Sequence, residues 1–189
     1  MIKKLFLASA FLIGGAASAQ AAELAISFNN KSAQLALQQQ IADYDQGRSV
    51  VGIRGLYNDR KDTELVSASF AVLGPIVGTG LEIGAGVRGY YVNSRPEDDK
   101  IATGGLGGLI RFVPPALPRA SFSGSLFYCP QIFTAMDGEK LWDVEISAAF
   151  AIAPRATVFV TLTEIEAEFE DHGDRTLDKT FRAGLSLRF

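Results

Sequence analysis

One cysteine (Cys129) and one histidine (His172) occur in 189 residues. That excludes a disulfide framework and a cysteine-rich zinc site, and leaves a single imidazole for metal or acid–base chemistry. No metal site and no cofactor is expected. There is no basic excess either: 18 Lys and Arg stand against 21 Asp and Glu, a net charge of −3. A nucleic-acid partner is therefore not expected. The longest apolar run, Leu5 to Ala17, has only 13 residues, below the ~17–25 that span a bilayer as helix. Beyond residue 22 no stretch holds a 3.6-residue apolar repeat over twelve positions. What is present is 48% apolar and 21% charged residues, with 19 glycines against 7 prolines. This suits one strand-rich domain and excludes a disordered tail.

Residues 1–21 read as a secretory signal peptide. Lys3 and Lys4 precede the apolar run, and Ala19-Gln20-Ala21 offers a small-residue cleavage site. The mature domain is then 22–189. Without Lys3 and Lys4 it carries 16 basic and 21 acidic side chains, a charge of −5. In an oxidising compartment the lone Cys129 is most simply a small apolar side chain.

In the mature chain the apolar period is two, the signature of strands. Leu81, Ile83, Ala85, Val87 and Tyr91 alternate with Gly80, Glu82, Gly84, Gly86 and Arg88. Trp142, Val144, Ile146, Ala148 and Phe150 alternate with Asp143, Glu145, Ser147 and Ala149. Ten strands are expected, near 23–29, 32–40, 49–57, 63–73, 78–92, 100–112, 119–129, 140–152, 156–169 and 178–189. Connectors alternate between Gly/Pro-rich (Gly74-Pro75-Ile76-Val77, Pro114 to Pro118, Ala153-Pro154-Arg155) and charged (Asn58 to Asp62, Asn93 to Asp99, Glu170 to Leu177). Successive hairpins then turn at opposite ends of an up-and-down antiparallel barrel.

A soluble barrel hides its apolar face; a transmembrane one shows it. Four features favour the second. The polar face is mostly Gly, Ser, Ala and isolated charges, too sparse for a water-exposed sheet. Aromatic residues on the apolar face gather near strand ends, as an interfacial girdle requires. Tyr57, Tyr91, Tyr128, Trp142, Phe169 and Phe181 lie towards the charged loops; Phe70, Phe112, Phe122, Phe150 and Phe189 lie towards the Gly/Pro turns. The pairs Trp142–Phe150 and Phe181–Phe189 are separated by roughly 20 Å of height at ~3.3 Å per residue and ~40° tilt, close to the ~25 Å apolar band of such barrels. The strands are long enough to cross a bilayer. Finally, Arg182-x-Gly184-x-x-Leu187-x-Phe189 resembles the C-terminal signal by which outer-membrane barrels are recognised by their insertion machinery.

Two stretches resist the scheme. In 156–169 the apolar positions are even through Leu162 and odd from Ile165, so either a β-bulge shifts the phase near Thr163-Glu164 or the strand leaves the bilayer there. The first two strands are short and Gln-rich, which makes eight strands the fallback count.

The order of features resembles the YfaZ family of bacterial outer-membrane proteins. The features are a signal peptide, short first strands, a Leu73-Gly74-Pro75 turn, Gly104-Gly105-Leu106-Gly107-Gly108, the strand end Phe127-Tyr128-Cys129-Pro130 and a terminal Phe. Cys129 departs from that family's Tyr-Ser pair before the proline. The resemblance implies a porin-like barrel in the outer membrane of a Gram-negative bacterium. Its partners would be lipid, lipopolysaccharide and the insertion machinery. It implies no settled substrate.

By strand phase Arg54, Glu82, Arg88, Arg111, Asp143, Glu145, Arg182 and Arg188 point into the barrel. They form either the charged lining of a narrow conduit or a salt-bridged plug, and ten strands lie near the closed end of the size range. Glycines at 80, 84, 86, 105 and 107 would leave space for a conduit. Catalysis is not expected: His172, between carboxylates in Glu170-Asp171-His172-Gly173-Asp174, could act as a base at the rim, but no Gly-x-Ser-x-Gly elbow accompanies it. Ser121, Ser123 and Ser125 read as small lumen residues. The acidic clusters at 97–99 and 164–171 read as solvated loops rather than calcium sites. The remaining alternative is a soluble periplasmic barrel with an apolar ligand cavity.

Overall fold

A computed structural model describes residues 22–44, 47–95, 99–170 and 173–189. Residues 1–21, expected to be a signal peptide, and His172, Asp171, Glu97 and Asp98 lie outside the described residues. The strands are β1 (Ala22–Phe28), β2 (Ser32–Tyr44), β3 (Gly47–Asn58), β4 (Thr63–Ile76), β5 (Leu81–Ser94), β6 (Asp99–Phe112), β7 (Ala120–Cys129), β8 (Thr134–Met136), β9 (Gly138–Ala153), β10 (Ala156–Phe169) and β11 (Gly173–Arg188). Every long strand pairs antiparallel with the next, β7 pairs with β9, and β11 returns to β1 from Glu23↔Arg188 to Phe28↔Ala183. The result is a closed ten-stranded barrel. Closure pairs every long strand on both sides, while the short β8 pairs with β6 alone.

The alternating residues form strands where they were expected, with four differences. β2 runs to Tyr44, past residue 40. β11 starts at Gly173 rather than at 178, so most of the charged segment 170–177 is strand. β4 takes in Pro75, and its turn falls at Val77–Gly80, where Gly78 and Gly80 adopt φ of +78° and +71°. A side chain at Gly80 would strike the Val113 carbonyl oxygen. Lastly, an unexpected short strand follows β7: β6 pairs with β7 from Leu106 to Phe112 and with β8 from Ile101 to Thr103.

Aliphatic and aromatic side chains cover the outside. Ile26, Ile53, Val66, Val87, Leu106, Ile110, Ile146 and Leu162 are all exposed there, with Tyr57, Tyr91, Trp142 and Phe181 above them and Phe70, Phe112, Phe122, Phe150 and Phe189 below. Tyr128, half-buried, packs on Trp142 with ring centroids 4.4 Å apart. A depression of about 360 Å³ opens on this outer face, over Gly108 and Gly124 between Ile83, Ile110, Leu126 and Ile146.

Beyond the belt, at the charged-loop end, the polarity reverses. Ile165, Ala167 and Phe169 turn inward and are buried, while Glu164, Glu166 and Glu168 alternate with them on the outside. Phe169 is therefore core, and its expected place in the girdle is corrected. No bulge on β10 causes the change, since its register with β9 is continuous from Thr157↔Ala151 to Glu168↔Lys140. The irregularity sits opposite, on β11, where Ile165 faces Asp178 and Glu166 faces Thr176, so Leu177 is the extra residue. Outer charges pair across strands here: Lys140 with Glu168 at 2.5 Å, Lys179 with Glu164 and Arg95 with Glu64. Hydrogen bonding to those glutamates holds the Lys140 and Lys179 ammonium groups above their ordinary values.

Candidate functional site: the lumen

Towards the charged-loop end the lumen is filled in layers. At the charged-loop end Leu56, Leu65, Val92, Ile101, Leu141, Ile165, Phe169 and Leu177 form one buried cluster with Tyr90, Phe127, Cys129 and Ala167. Each comes from an odd-numbered or even-numbered row that alternation aims inward, on eight different strands. The layer is apolar and buried, the inverse of a polar channel wall.

The main ion layer is built on Asp143 of β9, whose side chain is 0% exposed. Its Oδ2 accepts hydrogen bonds from Arg54 Nη2 at 2.5 Å, Arg88 Nη1 at 2.9 Å and Tyr90 Oη at 2.8 Å. Arg54 also donates to Glu145 and to Ser67 Oγ, both at 3.3 Å. The Arg88 guanidinium lies 4.0 Å from the centre of the Phe127 ring, which ties the ion layer to the apolar one. Charges this deep are tolerable only when paired and hydrogen-bonded, and four strands supply the partners.

A second hub is Arg182 of β11, also fully buried. It donates to Asp178 at 2.9 Å, Thr163 at 2.7 Å, Gln34 at 3.1 Å, Ser32 at 3.2 Å and Thr180. Asp178 in turn accepts from Asn58 Nδ2 at 2.6 Å. Towards the Gly/Pro-turn end Glu82 accepts from Arg48 at 2.8 Å and Arg111 at 3.2 Å, with all three partly exposed. Arg188 sits at the rim, half-exposed and 3.1 Å from Glu23.

Of the eight charges expected inside, Arg54, Arg88, Asp143 and Glu145 thus meet in one network, Glu82 and Arg111 in another, and Arg182 and Arg188 stand apart from both. Arg48 and Asp178 were not foreseen. Both obey the phase of Arg54 and Arg182, so extending each strand by its own parity would have found them.

Two of the expected lumen glycines are covered by side chains of the neighbouring strand. A Cβ on Gly107 would lie 2.4 Å from the Phe127 ring, and one on Gly105 would lie 2.5 Å from Cys129 Sγ. Larger neighbours already occupy those places. Gly80 is in a turn, off the wall altogether. In the C-terminal motif Gly184 makes room for Phe159, Leu187 and Phe189 face outward, and the Phe189 N–H donates to the Ala22 carbonyl at 2.9 Å. Among the described residues no three His, Cys, Asp or Glu side chains are grouped to hold a metal.

No family model matches the chain, and no curated protein matches it. Among solved structures it is similar to one described as "Unveiling the Mechanism Behind the in-meso Crystallization of Membrane Proteins", with a TM-score of 0.44 and 9% identity over 90% of this chain and 83% of that one. It is also similar to a KdgM porin, with a TM-score of 0.43 and 10% identity over 89% of this chain and 99% of that one.

Proposed function

We propose that the chain is an outer-membrane β-barrel of a Gram-negative bacterium, exported behind a cleaved segment 1–21, and that it serves the envelope as a sealed structural barrel rather than a conducting pore. The outer belt supports the location: soluble monomers rarely expose contiguous apolar patches beyond a few hundred Å², and here the apolar outer face is continuous around the barrel between two aromatic rows. Backbone groups in hydrocarbon must all be paired, which a closed barrel achieves. The order of sequence features supports placing it with the YfaZ family. Lipopolysaccharide and the insertion machinery are the partners this reading implies.

One observation carries the sealed reading. The carboxylate of Asp143, fully buried, is locked between Arg54, Arg88 and Tyr90, directly beneath the apolar cluster. Ions crossing the barrel would have to break that network and then enter a dry layer. Planar-bilayer recording on refolded protein tests it. The wild type is expected to show no unitary conductance, and a double variant Phe127→Ala/Leu141→Ala is expected to leak. Stable wild-type channels would overturn the seal.

A further inference from the structure

Between β7 and β8 the wall breaks outward. Tyr128 and Thr134 are six positions apart, yet their partners on β6, Leu106 and Thr103, are only three apart. Three residues are therefore surplus to the ladder. They leave as a 3-10 turn, Gln131–Phe133, that contains no buried residue. The inside at this level is occupied by Cys129, Ile101 and Leu141, each 0% exposed, so the turn can only project away from the barrel. At its tip Ile132 is 82% exposed and Phe133 57%.

The knob is held rigidly. Phe133 N–H and the Thr134 hydroxyl both donate to the Pro130 carbonyl, at 3.0 and 3.1 Å, and Thr134 and Thr103 share a hydroxyl hydrogen bond of 2.8 Å. Its surroundings are unlike it. Immediately below lies the Tyr128–Trp142 pair of the girdle; beside it the outer positions are Lys140, Glu166 and Glu168. Those three side chains are charged, whereas Ile132 and Phe133 are large and apolar. Two such side chains on a fixed turn, continuous with the aromatic row, match the boundary between headgroups and acyl chains, where aromatic and aliphatic anchors insert from above.

We infer that Pro130–Phe133 is a lateral lipid anchor: Ile132 and Phe133 insert into the outer leaflet beside Trp142 and fix the depth of the barrel. This rests on the membrane reading above. The test is a nitroxide at Ile132→Cys, in a Cys129→Ala background, compared with one at Leu126→Cys in the middle of the belt, both in phosphatidylcholine–phosphatidylglycerol vesicles. Collision with oxygen is expected to exceed collision with a water-soluble nickel chelate at both sites, and replacing Ile132 and Phe133 by Asn is expected to weaken quenching of Trp142 by lipids brominated near the headgroup. Nickel access at 132 with oxygen access at 126 would overturn the anchor and leave the membrane reading standing. Nickel access at both would overturn both. Strong dipolar broadening between labels at 132 would assign the knob to a second copy of the chain and likewise overturn the anchor.

Discussion

Asp143 shows how much one buried carboxylate organises. Three donors from β3 and β5 converge on its Oδ2, so its removal strips Arg88 of its carboxylate partner and leaves Arg54 only Glu145 at 3.3 Å. Breaking a buried pair from one side costs ~3–5 kcal/mol. Asp143→Asn is expected to lower stability by about that amount, read as a lower urea midpoint in detergent micelles. A midpoint unchanged within error would show that the network is not under this constraint. Overpacking has a cleaner target in Gly107. A Val there would drive Cβ into Phe127 and is expected to cost ~1–3 kcal/mol, whereas the outward Gly104, with nothing within 4 Å of its Cβ position, should accept Ala with little change. Much at this scale was readable: parity alone puts Arg54, Arg88 and Asp143 on one face. It could not show that Gly105 and Gly107 are filled from across the sheet, because that depends on register, which is a property of strand pairs.

β10 is the element in which the two polarities meet. Its backbone continues without a break while its apolar residues change sides after Leu162, because the strand passes from a surrounding that is apolar outside to one that is apolar inside. A bulge and an exit from the belt leave the same trace in a sequence, and only the pairing of β10 with β9 separates them. The distinction is testable. Ile165→Asp is expected to destabilise strongly, by several kcal/mol for a buried unpaired charge, while Glu164→Ala changes the midpoint by no more than ~1 kcal/mol as an exposed ion pair. The reverse ranking in urea titrations would restore the bulge. β11 carries the other elemental lesson. β1 is only seven residues long, so the seam that closes the barrel is short, and Arg182 reaches over it to Ser32 and Gln34 of β2. Arg182→Met is expected to lower the temperature at which the folded band is lost in heat-modifiability gels, further than Arg188→Met at the exposed rim. Equal effects would deny Arg182 this clasping role. The charge of Arg182 was legible from alternation; its partners on the opposite end of the chain were not.

The whole molecule is two barrels in one wall: a belt that shows its apolar side chains, and above it a short extension that hides them and shows paired charges. This arrangement explains together the buried apolar layer inside the charged-loop end, the inward Phe169 and the charged strand extensions of β9, β10 and β11. The ten-strand closure was legible from period and connector type, since a two-residue repeat with alternating turn chemistry has few other solutions. The inner apolar cluster was not, because inward residues of one strand acquire meaning only when eight strands bring theirs to the same height. The outer belt is the claim on which location, closure and orientation all depend, and the chain carries its own probe of it. Trp142 is the sole tryptophan and lies on the outer face at the edge of the belt. After reconstitution into vesicles its emission is predicted to be quenched most by lipids brominated near the headgroup and little by acrylamide; efficient acrylamide quenching with no response to brominated lipid would contradict the account.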